Sequence, residues 1–181
     1  MYANALMHQD LEQTGKFLTV EAFDDRVEVT NPGTPLISPE RFIDAPSTTR
    51  NPKLGEALRQ AQYVEQRGGG WDKVVQALET DKLPPALVRT NGSTTVTLSA
   101  FKPFSLLSQQ ERQQAVYQHT CLAYLEGRAA NNSSIRARLG LRESQASQVS
   151  RLLKECVEAD LIKPHDASAG ARAMRYVPSW A

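Results

Sequence analysis

The stretch "STTVTLSAFKPFSLLSQQER" (93–112) puts two kinds of order back to back. Before Pro103, β-branched and small residues alternate with period two after the turn "TNGS", which is how a strand leaves a tight hairpin. After it, Ser108 stands as a cap ahead of "QQERQQAVYQHTCLAYL", a run without Gly or Pro that reads as a long helix. Proline lacks the N–H that a central ladder needs, so the strand has to stop there. A chain built around this junction is expected to be α+β with two domains, residues 1–102 and 103–181. The length of 181 residues suits two small domains.

The first domain mixes helices with antiparallel strands. "KFLTVEAFDD" and "RVEVTNPG" read as two strands joined by a tight turn at Asp24 and Asp25. "SPERFIDA" reads as a short helix with Ser38 as cap and Pro39 in its first position. A further helix starts at Asn51 with Pro52 behind it. In "VEQRGGGWDKVVQALET" a glycine triplet opens a helix whose Trp71, Val74, Val75 and Leu78 have helical spacing. The chain itself opens on "YANALMHQDL", in which Asn4 and His8 lie one helical turn apart beside Ala5 and Leu6. The expected result is a sheet with helices on one face.

Hydrophobic content of 40% and charged content of 23% are those of a globular protein, and no apolar run nears the roughly 18 residues of a membrane span. No leader pattern is present at the start, so a cytoplasmic location without membrane association is expected. Cys121 and Cys156 fall inside helical patterns and read as small core residues, not a disulfide or a metal pair. Net charge is +1, with 11 Lys and Arg against 13 Asp and Glu in residues 1–102, and 10 against 7 in residues 103–181. The positive excess therefore lies on the second domain, where a polyanion would bind.

"NALMHQD", "DDRVEVTNPG" and "ERFIDAPSTTRNPKLGEALRQAQYVEQRGGGWDKVVQALE" together resemble the C-terminal domain of bacterial transcriptional regulators related to the RecG DNA helicase. That family is similar to the GHKL ATPase fold of histidine kinases, gyrase and Hsp90, so the resemblance implies a partial or degenerate GHKL-like layer domain. It places Asn4 where an asparagine ligates the magnesium of Mg-ATP and His8 at the motif's second polar position. The motif's glutamate would fall one residue before Met1, from which loss of hydrolysis is expected. Asn31 stands where an aspartate receives the adenine amino group, within the strand-end loop that includes Gly33. Gly68, Gly69 and Gly70 correspond to the phosphate-side loop, where bare N–H groups at a helix start can hold an anion. The same residues also have plain structural readings: Asn4 and His8 facing water, Gly33 in a turn, the triplet as a hinge. No catalytic residue is assigned, no resident cofactor is expected, and Mg-ATP is the one candidate. A helicase motor is excluded, since in "DLEQTGKFL" Asp10 occupies the first P-loop glycine position and Phe17 the Ser/Thr position.

In the second domain a helix through Leu125, a segment "NNSSIRARLGL", a helix "RESQASQVSRLLKECVEADL" and the tail "IKPHDASAGARAMRYVP" give the order of a winged helix-turn-helix. "SIRARLGLRESQASQVSRLLKECVEADLIKP" resembles the winged-helix domains of bacterial regulators. On the third helix Val149, Leu152, Leu153, Cys156, Val157 and Leu161 form the expected buried stripe. Ser144, Gln145, Ser147, Gln148 and Arg151 lie away from it, and they are groove-reading types: Gln pairs with adenine, Arg with guanine, Ser with phosphate. His165, Arg172 and Arg175 in the wing would add backbone contacts. The expected function is that of a transcriptional regulator binding duplex DNA as a homodimer. An ATP-binding switch or enzyme and a protein-interaction module are the alternatives.

Overall fold

The structure is a computed structural model describing residues 1–46, 48–64, 70–168, 170 and 173–181. Its contacts divide the chain into two compact units: residues 1–74 with 86–100, and residues 75–85 with 101–181. Residues 75–85 pack with the second unit.

The first unit begins with α1 (Tyr2–His8), which buries Ala5 and Met7. Strands β1 (Thr19–Ala22) and β2 (Arg26–Pro32) form a hairpin closed by the Phe23 N–H donating to the Arg26 carbonyl at 2.8 Å, so the turn at Asp24 and Asp25 is as tight as the sequence suggests. The second hairpin joins β3 (Leu87–Thr90) to β4 (Ser93–Ser99), and the antiparallel sheet runs β1-β2-β4-β3. Pairing of Val20 with Val29, Val29 with Val96, and Val88 with Val96 gathers the valines on one face. The other face holds a polar network: Glu28 accepts from Arg26 Nε at 2.8 Å and pairs with Arg89 at 3.3 Å, while Thr30 and Thr95 share a hydroxyl bond of 2.9 Å.

"SPERFIDA" forms only a single 3-10 turn, Pro39–Arg41, behind Ser38. The Ser38 hydroxyl turns to the Glu40 carboxylate instead of capping a backbone N–H. Helix α2 (Pro52–Gln60) begins at the expected proline, yet the Asn51 side chain does not cap it. Asn51 Nδ2 donates instead to the Gln9 carbonyl at 2.8 Å, and the Asn51 N–H donates to the Met7 carbonyl at 3.1 Å. Thr49 adds a hydroxyl bond to the same Met7 carbonyl at 2.9 Å, so the segment before α2 ties down the open carbonyl end of α1. Helix α3 (Gly70–Thr80) buries Trp71, Val75 and Leu78 at the expected spacing. The Trp71 ring stands edge-on to Phe42 with centroids 5.2 Å apart.

In the second unit, α4 (Gln109–Leu125) starts at Ser108 with a full capping box. The Glu111 N–H donates to Ser108 Oγ at 3.2 Å, and the Ser108 N–H donates to Glu111 Oε2 at 2.8 Å. Lys102 Nζ lies 2.9 Å from the other oxygen of this buried carboxylate. Helix α5 (Asn132–Arg138) is capped by Asn131 and ends at Gly140, whose φ of +65° is the left-handed terminator that glycine adopts without steric penalty. Next, α6 (Ala146–Glu158) buries Val149, Leu152, Leu153 and Cys156, while Val157 and Leu161 are only partly covered. Strands β5 (Ile162–Pro164) and β6 (Tyr176–Pro178) pair antiparallel, and Ala130 bridges to Tyr176 beside them. Ile135, Val149, Leu153, Ile162 and Cys156 are all under 2% exposed and form the centre of this core.

One expectation about the third helix is corrected. It starts at Ala146, and Ser144 and Gln145 belong to a separate 3-10 turn, Glu143–Gln145, in front of it. Gln145 folds back so that its Oε1 accepts the Arg142 N–H at 2.9 Å, which closes that turn before the α-helix begins. Both cysteines are buried, in keeping with core roles. Among the described residues no helix is long and apolar enough to cross a membrane.

Candidate functional site

The residues singled out in the second unit fall on two elements and the hairpin. Ser147 and Arg151 are exposed on α6, four residues apart and opposite the stripe of Val149, Leu153 and Cys156; Gln148 lies on the flank, partly covered. Ser144 is exposed at the 3-10 turn, and Gln145 is committed to closing it. His165 is exposed just after β5, where its N–H donates to the Arg175 carbonyl at 2.9 Å, and the exposed Arg175 precedes β6. Backbone pairing thus brings His165 and Arg175 together. Arg172 lies outside the described residues.

The charges on this unit are distributed unevenly in their partners. Arg128 pairs with Glu126, and Lys154 lies 3.6 Å from Glu158. Among the described residues Arg136, Arg142 and Arg151 have no carboxylate partner. Three uncompensated guanidinium groups thus stand on α5, on α6 and in the turn between them. The sequence reading named only Arg151 of these. The unit's buried charges are separate: Arg138 donates to the Leu83 carbonyl at 2.9 Å, and its Nε lies 3.5 Å from Glu79, which also meets His119 Nδ1 at 2.9 Å.

In the first unit, the residues matched to a nucleotide site are partly gathered. Asn4 and His8 share a face of α1, both half-buried. The Asp10 N–H donates to the Pro32 carbonyl at 2.8 Å, which brings the end of α1, with His8, against the end of β2, with Asn31 and Gly33. Asn31 is buried and its Nδ2 donates to the Pro32 carbonyl at 3.2 Å. Gly33 has φ +90°, and a Cβ there would meet Asp10 Cβ at 2.6 Å, so its glycine is dictated by backbone conformation and a close neighbour. Thr94 Oγ1 donates to the Gly33 carbonyl at 2.7 Å and fixes the loop further. Gly70 begins α3, and among the described residues nothing lies within 4 Å of where its Cβ would stand, while Gly68 and Gly69 lie outside the described residues.

Burial, and then the positive charge of Arg50, lower the pKa of His8. Arg50, the arginine of "RNP", donates from Nη2 to the Thr34 carbonyl at 2.8 Å, and among the described residues its buried Nε has no partner. Among the described residues no three His, Cys, Asp or Glu side chains cluster as metal ligands. An asparagine such as Asn4 falls outside such a cluster.

Comparison with known proteins bears mainly on this first unit. Residues 15–98 match the family described as "Putative ATP-dependent DNA helicase recG C-terminal". The match runs from the loop before β1 nearly to the end of β4, so this part of the chain is ATPase-like in sequence; α1, with Asn4 and His8, falls outside it. No curated protein matches the chain. Among solved structures, the DIP2311 protein from Corynebacterium diphtheriae is similar at 15% identity and a TM-score of 0.49, over 97% of this chain and 48% of that one. The chain spans about half the length of that protein's chain.

Proposed function

We propose that the chain is a transcriptional regulator that binds duplex DNA through a winged helix-turn-helix in its second domain, residues 103–181. The first domain, residues 1–102, is a degenerate GHKL-like layer that serves dimerisation or sensing. The observation that carries this reading is the arrangement around α6. It follows α5 across the Gly140 turn and precedes a two-stranded hairpin, and its outward face holds Ser147 and Arg151 opposite a fully apolar stripe. A helix so supported can enter a major groove with its N-terminal half against base edges, while the hairpin loop, with His165 and Arg175, lies along the sugar-phosphate backbone. The uncompensated Arg136, Arg142 and Arg151 supply positive charge beside that face.

In the first domain, the replacement of a charged adenine anchor by the buried amide of Asn31 supports the degenerate reading. The test is binding of a fluorescent random-sequence duplex pool across a salt series. Wild-type protein is expected to bind with salt-dependent affinity and two chains per site, and Arg151→Ala to lose about 1–3 kcal/mol if the arginine reads a base. Absence of salt-dependent binding by the wild type would overturn the proposal.

A further inference from the structure

The order of α5 and α6 leaves open how two short helices are held at a fixed angle, and one side chain answers this. Asn132, the first residue of α5, uses both amide hydrogens on α6: Nδ2 donates to the Ala146 carbonyl at 2.9 Å and to Ser150 Oγ at 3.0 Å. The Ser150 hydroxyl in turn donates to the same carbonyl at 3.1 Å. Two acceptors facing Nδ2 leave the Asn132 amide only one orientation, with Oδ1 turned the other way. There it accepts from Arg136 Nε at 3.0 Å, one helical turn along α5.

This contact does not neutralise Arg136. The amide oxygen is uncharged, it engages only Nε, and among the described residues no carboxylate pairs with the guanidinium. A fixed cation whose terminal NH2 groups have no hydrogen-bond partner among the described residues therefore stands on α5 against Asn132, the residue that also bonds Ser150 on α6. At about 100° per residue, Ser150 occupies the flank of α6 between its buried stripe and the outward face of Ser147 and Arg151. A duplex that takes that outward face into its groove brings its phosphates over this flank. The planar fork then meets a phosphate with its orientation already set, so little side-chain freedom is lost on binding.

We propose that Arg136 anchors a DNA phosphate and that Asn132 is its positioning residue; the inference rests on the duplex-binding reading above. The experiment measures the affinity for the random duplex pool against salt for wild type, Arg136→Gln, Arg136→Lys, Asn132→Ala, and Asn132→Ala combined with Arg136→Gln, each checked for fold by circular dichroism. Arg136→Gln is expected to reduce the slope of log affinity against log salt by about 0.9, the signature of one lost phosphate contact. Arg136→Lys keeps the slope, because the charge remains. Asn132→Ala weakens binding in the wild-type background and adds no further loss to Arg136→Gln, since its effect acts through the arginine. An unchanged slope in a folded Arg136→Gln protein overturns the inference alone. Equal losses from Asn132→Ala in both backgrounds overturn the positioning role, and a wild type that does not bind overturns the parent reading with it.

Discussion

Gly33→Ala isolates what holds the first unit's strand-end loop. At φ +90° an L-residue is strained by about 1–2 kcal/mol. The new methyl would sit 2.6 Å from Asp10 Cβ, and overpacking of this kind adds about 1–3 kcal/mol. The neighbour cannot easily give way, because the Asp10 N–H is bonded to the Pro32 carbonyl and its carboxylate accepts from the Glu12 N–H at 3.1 Å and Gln13 Nε2 at 3.1 Å. The sum is a loss of about 2–5 kcal/mol, which at a urea slope of about 2 kcal/mol per molar lowers the midpoint by roughly 1–2.5 M. Urea unfolding in a Trp180→Phe background reads this through Trp71, whose ring packs on Phe42 within the same unit. Pairing the change with Asp10→Gly removes the opposing methylene but not the backbone strain. The double variant should therefore be less destabilised than the sum of the two singles, by the steric share. A midpoint shift below about 0.3 M, or strict additivity of the pair, would refute the close-packing argument.

Two further outcomes concern the second unit. Burial pushes the Glu111 carboxyl up, but the bonds from the Ser108 N–H, Lys102 and the Ser108 hydroxyl outweigh it and leave the net value below the ordinary 4.5. A lowered acid stabilises the fold above its unfolded value and loses that contribution as pH falls through the folded value. Unfolding of Trp71→Phe protein followed at Trp180 should therefore show stability dropping as pH falls below about 4.5, with that component missing in Glu111→Gln. Glu79→Gln leaves Arg138, a buried guanidinium, facing only a neutral amide and the Leu83 carbonyl, and should destabilise by about 3 kcal/mol in urea melts. Adding Arg138→Met should recover most of that loss; a Glu79→Gln protein as stable as wild type would show the pair to be dispensable.

Much of the fold was legible because it is coded locally. Asp24 and Asp25 mark a two-residue turn whatever surrounds them, Ser108 and Glu111 form a capping box from three-residue spacing alone, and the apolar spacing on α3 and α6 selects the buried face. The candidate site was less legible, since its key relations join residues far apart in sequence. Nothing in "SPERFIDAPSTTRNP" shows that Asn51 will hold the end of α1 and leave its own helix uncapped. Ser144 and Gln145 carry the residue types of a recognition helix, but the side-chain bond from Gln145 to Arg142 places them in a turn before it. "NNSSIRAR" does contain the i, i+4 pair of Asn132 and Arg136, a signal that could have been read, though its meaning depends on Ala146 and Ser150 lying alongside.

The sequence by itself determined most of the strands, helices and turns and which faces are apolar, because those follow from backbone preferences and short-range periodicity. Only the tertiary structure decided which polar groups keep their charge free. Arg138 looks no different from Arg136 and Arg151 along the chain, yet it meets the carboxylate of Glu79, fifty-nine residues away, while among the described residues the other two meet none. It also decided why residue 33 is glycine, since the answer is Asp10, twenty-three residues away, pressing against a backbone that has turned left-handed. Pairing and clash both depend on distances across the fold, which local preference cannot encode.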